Sequence, residues 1–269
     1  MINKIFRLDG KNIVIVGGLG ILGAVFCETL AEAGASVIIA DIDNDKCKDG
    51  AEQLTNRFKV NSFGIGVDVA DETSVAAFKD TLLERKLTVD VLVNSAATKS
   101  KNFFAPLDEF PLTEWDQVMR VNVTGIFLMV RALIPGMIES GGGTIINVGS
   151  IYGILGPDQR IYQGSDYPEM GGLINTPFVY SASKGAVSSM TRYLATTFGA
   201  QGIRANTLVP GGVVSGQNNA FISKYADRTP ANRMGEKLEL ASALLFLASN
   251  ASSYVNGQDL IVDGGLSAW

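Results

Sequence analysis

Histidine is missing from this chain of 269 residues. Without an imidazole there can be no Ser-His-Asp or Cys-His nucleophile system, and most catalytic zinc sites lose their usual ligand, so no metal is expected. Cysteine is nearly missing as well. Cys27 and Cys47 form neither a CxxC nor a metal-ligand spacing, and read as plain reduced thiols. Excess positive charge is also lacking: the formal net charge is -5, with no block of Lys or Arg, which removes the electrostatic footprint of a nucleic-acid binder. No apolar run reaches the roughly 20 residues that cross a bilayer, and the start "MINKIFRLDGKN" has no apolar signal core. The expectation is a cytoplasmic protein with no membrane partner. Linkers, internal repeats and low-complexity tracts are missing too, so residues 1–269 are read as a single domain.

What the sequence does contain is apolar and ordered. With 46% hydrophobic and 18% charged residues it can bury a large core. Short β-branched runs recur at 12–17, 36–40, 62–67, 89–94, 144–149, 203–209 and 259–263. Between them lie segments of helical period, among them 24–33, 74–85, 115–137, 183–200 and 238–249. Near-continuous apolar strands alternating with amphipathic helices predict an α/β fold, a doubly wound parallel sheet of Rossmann type with helices on both faces. One stretch, 154–177, is rich in Gly, Pro, Asp and Tyr and has no period, as expected of a functional loop.

The chemical signals sit where strands end. "VIVGGLGILGAVF" follows the first strand and opens a helix, with Gly17, Gly20 and Gly23 spaced three apart, which suits a tight turn and close approach of a pyrophosphate. "VIIAD" closes the second strand on Asp41, a carboxylate able to accept both hydroxyls of an adenosine ribose and to repel a 2'-phosphate. Asp68 and Asn94 close the third and fourth strands, at the edge where such a sheet binds ligands. Further on, "YSASK" places Tyr180 and Lys184 one helical turn apart. A phenol is a poor acid/base at neutral pH, and lowering its pKa by about 3 units needs roughly 4 kcal/mol of differential stabilisation. A neighbouring ammonium, helped by a cationic nicotinamide ring, is a plausible source.

Along essentially its whole length the chain resembles the short-chain dehydrogenase/reductase family. The resemblance rests on the ordered series "GGLGILG", "VIIAD", "VDV", "VNSAA", "VNVTG", "INVGS", "YSASK", "VPGGV" and "GQDLIVDGG". It implies that Tyr180 is the general acid/base and that Lys184 holds the nicotinamide ribose and lowers the phenol pKa. It also implies that Ser150 hydrogen-bonds the reacting oxygen and that Asn122 holds a water linking Lys184 to solvent. The implied cofactor is NAD, bound by Gly17, Gly20, Leu22, Asp41, Asp68, Val69, Asn94, Ala96, Tyr180, Lys184, Pro210, Gly211, Val213 and Ser215. The ending "SYVNGQDLIVDGG" is similar to the last strand of tetrameric members, so a homo-oligomer, dimer or tetramer, is expected.

The departures are local. Val16 stands where the family usually has threonine, Ile21 where it has a middle glycine, and Asn94-Ser95-Ala96-Ala97 where NNAG is common. Ser150 and Tyr180 are also much further apart than in many members, which makes 154–177 an insertion beside the substrate. Asp158, Gln159, Arg160, Tyr162, Ser165, Asp166 and Tyr167 give it hydrogen-bonding groups, while Pro157, Pro168 and Pro177 limit the entropy lost on ordering. The expectation is a wall or lid for a polyhydroxylated or sugar-like substrate, with Arg160 and Tyr162 as binding residues; it looks similar to members from bacterial surface-sugar pathways. A ketoacyl-thioester reductase is the alternative within the family. A dinucleotide-binding sensor without turnover is the alternative outside it, although such a protein has no need of Asn122, Ser150, Tyr180 and Lys184 together.

Overall fold

The structure is a computed structural model that describes residues 2–167 and 172–269. A one-turn helix α1 (Ile2–Ile5) precedes β1 (Asn12–Val16), α2 (Ile21–Glu32), β2 (Ser36–Asp41), α3 (Asn44–Phe58), β3 (Phe63–Gly66), α4 (Glu72–Glu84) and β4 (Val91–Asn94). There follow α5 (Leu112–Met119), α6 (Gly125–Glu139), β5 (Gly143–Val148), the two-residue strands β6 (Asp166–Tyr167) and β7 (Gly172–Leu173), and α7 (Phe178–Phe198). The chain closes with β8 (Ile203–Pro210), α8 (Asn219–Asp227), α9 (Lys237–Ala248) and β9 (Asp259–Val262).

Seven strands form one sheet in the order β3-β2-β1-β4-β5-β8-β9, and every pair in it is parallel. The alternation of side chains along a strand divides the core into two halves. Val14 and Val16 of β1 pack with Phe78 of α4, Met129 of α6 and Val187 of α7, whereas Ile13 and Ile15 pack with Phe26 of α2, Cys47 of α3 and Leu244 of α9. Both faces are covered. That is why the strands read as unbroken apolar runs.

Each strand read from the sequence is present within a residue or two at its ends. The helix expected over 115–137 is longer and broken in character: α5 runs through a π turn, Arg120–Thr124, into α6. The continuous helical stretch Leu112–Glu139 is long and apolar enough to span a membrane, which revises the expectation that no segment reaches that length; half of its most apolar window is buried in this fold. Helix α3 was not anticipated. Its buried stripe is only Cys47, Ala51 and Leu54, although Asp43 caps it by accepting from the Lys46 N–H at 3.1 Å.

Candidate active site

The order of the sheet reverses between β1 and β4, so the chain leaves those strands in opposite directions and opens a crevice above their carboxyl ends. A cleft of about 660 Å³ lies there. Gly17 leaves β1 with a φ of +77°, and a Cβ on it would meet the Ala96 backbone at 2.7 Å; only glycine allows the turns after β1 and β4 to approach so closely. Gly23 has a similar constraint, since a Cβ there would sit 2.0 Å from the Gly17 carbonyl oxygen. Gly20 caps α2 without a side-chain acceptor, which leaves the helix N-terminus facing the cleft with its positive end available to an anion.

One end of the cleft is acidic. Asp41 accepts from the Leu19 N–H at 3.0 Å and from the Ile42 N–H at 2.8 Å, one bond to each oxygen. Its carboxylate is thereby oriented while keeping acceptor capacity for two hydroxyls. Asp68 is similarly set, taking the Ala70 N–H at 2.9 Å, and Val69 packs against Gly125. Leu22, Ala96, Pro210, Gly211, Val213 and Ser215 complete the predicted part of the lining.

The other end carries Ser150, Tyr180 and Lys184. Ser150 follows β5 by two residues; its hydroxyl accepts from the Tyr152 N–H at 3.2 Å and lies close enough to the Tyr180 phenol to favour its ionised form. Lys184 is buried, donates from Nζ to the Val148 carbonyl at 2.8 Å, and is pushed down to about 8 by the loss of water. Burial pushes the Tyr180 phenol up, and the Ser150 hydroxyl opposes that. The expected depression of the phenol pKa is therefore not a property of the cofactor-free chain, because desolvation outweighs its neighbours there.

Several predicted residues stand elsewhere. Asn122, on the π turn, is buried behind the cleft: its Oδ1 accepts from the Thr98 N–H and its Nδ2 donates to Ser183 Oγ, each at 3.1 Å. Ser183 in turn donates to the Tyr180 carbonyl at 2.9 Å. Asn94 turns its amide into the sheet and donates to Asn147 at 2.8 Å, so the neighbouring Ser95, Ala96 and Ala97, not its side chain, line the cleft. Arg160 does not face the cleft either. Its guanidinium is exposed and forked onto Asp158, with two contacts of 2.8 Å, and Arg228 binds the same carboxylate. Tyr162 hydrogen-bonds Thr176 Oγ1 at 2.6 Å and stacks near Phe221. Of the other insertion residues, Pro168 lies outside the described residues. Ile21, the departure from the family's glycine, lies exposed on the lip, and among groups not singled out from the sequence, Leu19 and Ile42 flank Asp41. Tyr152 is brought against Tyr162, Tyr180 and Tyr225 by the fold, with no motif to mark it.

A glycine-lined helix N-terminus, a ribose-type carboxylate and a phenol–ammonium pair on one parallel sheet define a dinucleotide-dependent oxidoreductase. The sequence model of the short chain dehydrogenases matches residues 11–166, and one described as enoyl-(acyl carrier protein) reductase matches 169–267. The D-threitol dehydrogenase of Mycolicibacterium smegmatis is 32% identical over 97% of this chain and 94% of its own. The galactitol 2-dehydrogenase (L-tagatose-forming) of Cereibacter sphaeroides is 34% identical over 98% of both. The crystal structure of a gluconate 5-dehydrogenase from Burkholderia cenocepacia J2315, in complex with NADP and tartrate, superimposes with a TM-score of 0.89 at 34% identity, covering 100% of both chains. The chain belongs to the short-chain dehydrogenase family.

Proposed function

We propose that this enzyme moves a hydride between NAD and a secondary alcohol or ketone of a free polyol or keto-sugar. The observation that carries the reading is the joint placement of Ser150, Tyr180 and Lys184 at one end of a cleft whose other end is Asp41. Asp41 closes β2 and Lys184 is tied to the end of β5, three strand spacings apart or about 14 Å across the sheet, which suits the two riboses of an extended dinucleotide. Gly17, Gly20, Leu22 and the α2 N-terminus would take its pyrophosphate. Asp68, Val69 and Ala96 would flank the adenine side, and Pro210, Gly211, Val213 and Ser215 the nicotinamide side.

The nicotinamide supplies the hydride acceptor or donor when bound. Tyr180, held as a phenol by burial, is ready to give its proton to a ketone oxygen while Ser150 donates a hydrogen bond to that oxygen. In the reverse direction Tyr180 must act as a base, and Lys184 one turn away favours the phenolate when charged. Asn122, through Ser183, fixes the backbone under Tyr180.

The preference for NAD rests on Asp41, since a 2'-phosphate would face a like charge there. Among the described lining residues the one cation is Lys184, at the opposite end. The gluconate 5-dehydrogenase of Burkholderia cenocepacia was crystallised with NADP, and rates with both cofactors distinguish the two. The relatives' names point to free polyols and sugar acids rather than nucleotide-linked sugars of surface pathways. Insertion 154–177 is assigned to the substrate side, and a cytosolic setting fits the two free, buried thiols. The test is to incubate the protein with NAD or NADP and D-threitol, galactitol or gluconate while following nicotinamide absorbance. Turnover of at least one polyol is expected; turnover of ketoacyl thioesters alone would overturn the reading.

A further inference from the structure

Ser150 and Tyr180 must meet on one substrate oxygen, yet they come from opposite ends of a long insertion. Something has to set their separation. Helix α7, which carries Tyr180 in its first turn, starts at Pro177 with no side-chain cap, and a helix end of that kind frays. The last fixed point before it is Thr176, which is 6% exposed.

All three polar groups of Thr176 are taken by the opposite arm of the insertion. Gln159 donates from Nε2 to the Thr176 carbonyl at 2.8 Å and accepts the Thr176 N–H on Oε1 at 3.1 Å, so one side-chain amide closes a two-point clamp on the backbone. Tyr162 binds Thr176 Oγ1 at 2.6 Å. Gln159 and Tyr162 lie on one 3-10 turn, capped by Asp158 through the Arg160 N–H at 3.0 Å. The arm is anchored again at both ends. Tyr162 lies against Tyr152, two residues past Ser150, and packs on Phe221 of α8 with ring centroids 5.3 Å apart. Gly153 sits so close to the Lys184 backbone that a Cβ there would lie 2.6 Å from the carbonyl carbon.

We infer that Gln159 and Tyr162 are positioning residues: together they clasp Thr176 and thereby fix the first turn of α7, and the Tyr180 phenol with it, beside Ser150. The insertion is then a closed strap at its base. This inference rests on the acid/base reading of Tyr180.

The test compares Gln159→Met, Gln159→Glu, Tyr162→Phe, Thr176→Val and Thr176→Ser with the wild type. The substrate is whichever of D-threitol and galactitol the wild type oxidises, and Tyr180→Phe is the control. Gln159→Met should lower kcat on the order of 10²-fold, as expected for a small misplacement of a reacting group, and leave the NADH dissociation constant within about twofold. Gln159→Glu keeps one of the two clamp bonds and should fall between. Thr176→Ser keeps the hydroxyl and should retain most of the activity lost in Thr176→Val, whereas Tyr162→Phe, which removes the same bond from the other side, should fall with Thr176→Val. A second readout needs no turnover: amide hydrogen exchange in Gln159→Met should rise at Phe178 to Ser181 and not along the rest of α7. Unchanged kcat in folded Gln159→Met beside an inactive Tyr180→Phe would overturn the inference alone, as would equal losses in kcat and cofactor affinity, or exchange that rises evenly through the protein. Wild-type activity in Tyr180→Phe would overturn the acid/base reading and this inference with it.

Discussion

Asp41 has each carboxylate oxygen on a backbone N–H, so it is held at the end of β2 rather than free to swing away from an incoming phosphate. Asp41→Ala should therefore narrow the preference for NAD over NADP on the order of tenfold or more in kcat/KM, read from initial rates with each cofactor. Equal efficiency of the wild type with both cofactors would remove the basis of that expectation. At the other end, Tyr180→Phe keeps the ring that packs edge-on against Phe103, with centroids 6.3 Å apart, and loses only the transferable proton. Turnover should drop by about 10²- to 10⁴-fold while the NADH dissociation constant, measured by fluorescence, stays near the wild-type value. Lys184 gives a pH signature. Its folded pKa of about 8 lies below its ordinary value of 10.5, so the unfolded chain binds more protons between those limits and this group's penalty on stability is relieved as pH rises through that window. The raised phenols of Tyr152, Tyr180 and Tyr225 act in the opposite sense above their ordinary pKa of 10. Between pH 8 and 10 the unfolding free energy of Lys184→Met, relative to the wild type, should thus lose its advantage progressively, by up to roughly 3 kcal/mol in total. Urea unfolding at a series of pH values checks the sign.

At the scale of elements, the insertion splits into parts with different work. The arms from Ile154 to Tyr162 and from Asn175 to Pro177 are bonded to each other, to Phe104 through the Asn175 amide at 2.8 Å, and to α8 through Tyr162 and Phe221. The part between, 163–174, includes the β6–β7 pairing and is joined to the body through fewer described bonds, one of them from Lys224 Nζ to the Gln163 carbonyl. On the proposed substrate-side role of the insertion, replacing 163–174 with a short glycine-containing turn should spare the clasp and cofactor affinity and raise the polyol KM by about tenfold. An unchanged KM would assign the segment to a role away from the substrate. The π turn is the second element of interest. It inserts an irregularity between α5 and α6 at the residue, Asn122, whose amide ties the turn after β4 to Ser183 of α7.

Across the whole molecule, the sheet joins both ends of the cleft, and large apolar side chains remain outside it. Leu112 of α5, Phe127 of α6, and Phe178 and Tyr193 of α7 are each about half exposed or more. Such a surface is expected to be covered by a second copy of the chain, in line with the oligomer anticipated from the last strand. Sedimentation should show a dimer or tetramer, and Phe127→Glu with Tyr193→Glu should shift it towards the monomer; a monomeric wild type at micromolar concentration would refute this.

The sequence alone determined the sheet and the pairing of Tyr180 with Lys184, because both are written locally, whereas Ser150 was expected only through the family resemblance. Strands buried on both faces are contiguous apolar runs, and Tyr180 and Lys184 are neighbours through helical spacing whatever lies around them. Asp41 and the glycines were legible for the same reason, as ends of strands and starts of helices. Helix α3 was less so, since one thin buried stripe leaves most of it polar. The remainder was decided by tertiary structure. Arg160 pairs with Asp158 two residues before it, and the fold adds Arg228 to the same carboxylate, while Asn94 turns inward because Asn147 of the next strand offers it a partner. The protonation of Tyr180 and Lys184 follows from burial, which no local pattern encodes. The clasp on Thr176 likewise joins residues that no periodicity links: hydrogen bonds between the two arms of a loop depend on where the strand and helix at its ends are held, and only packing of the whole chain fixes that distance.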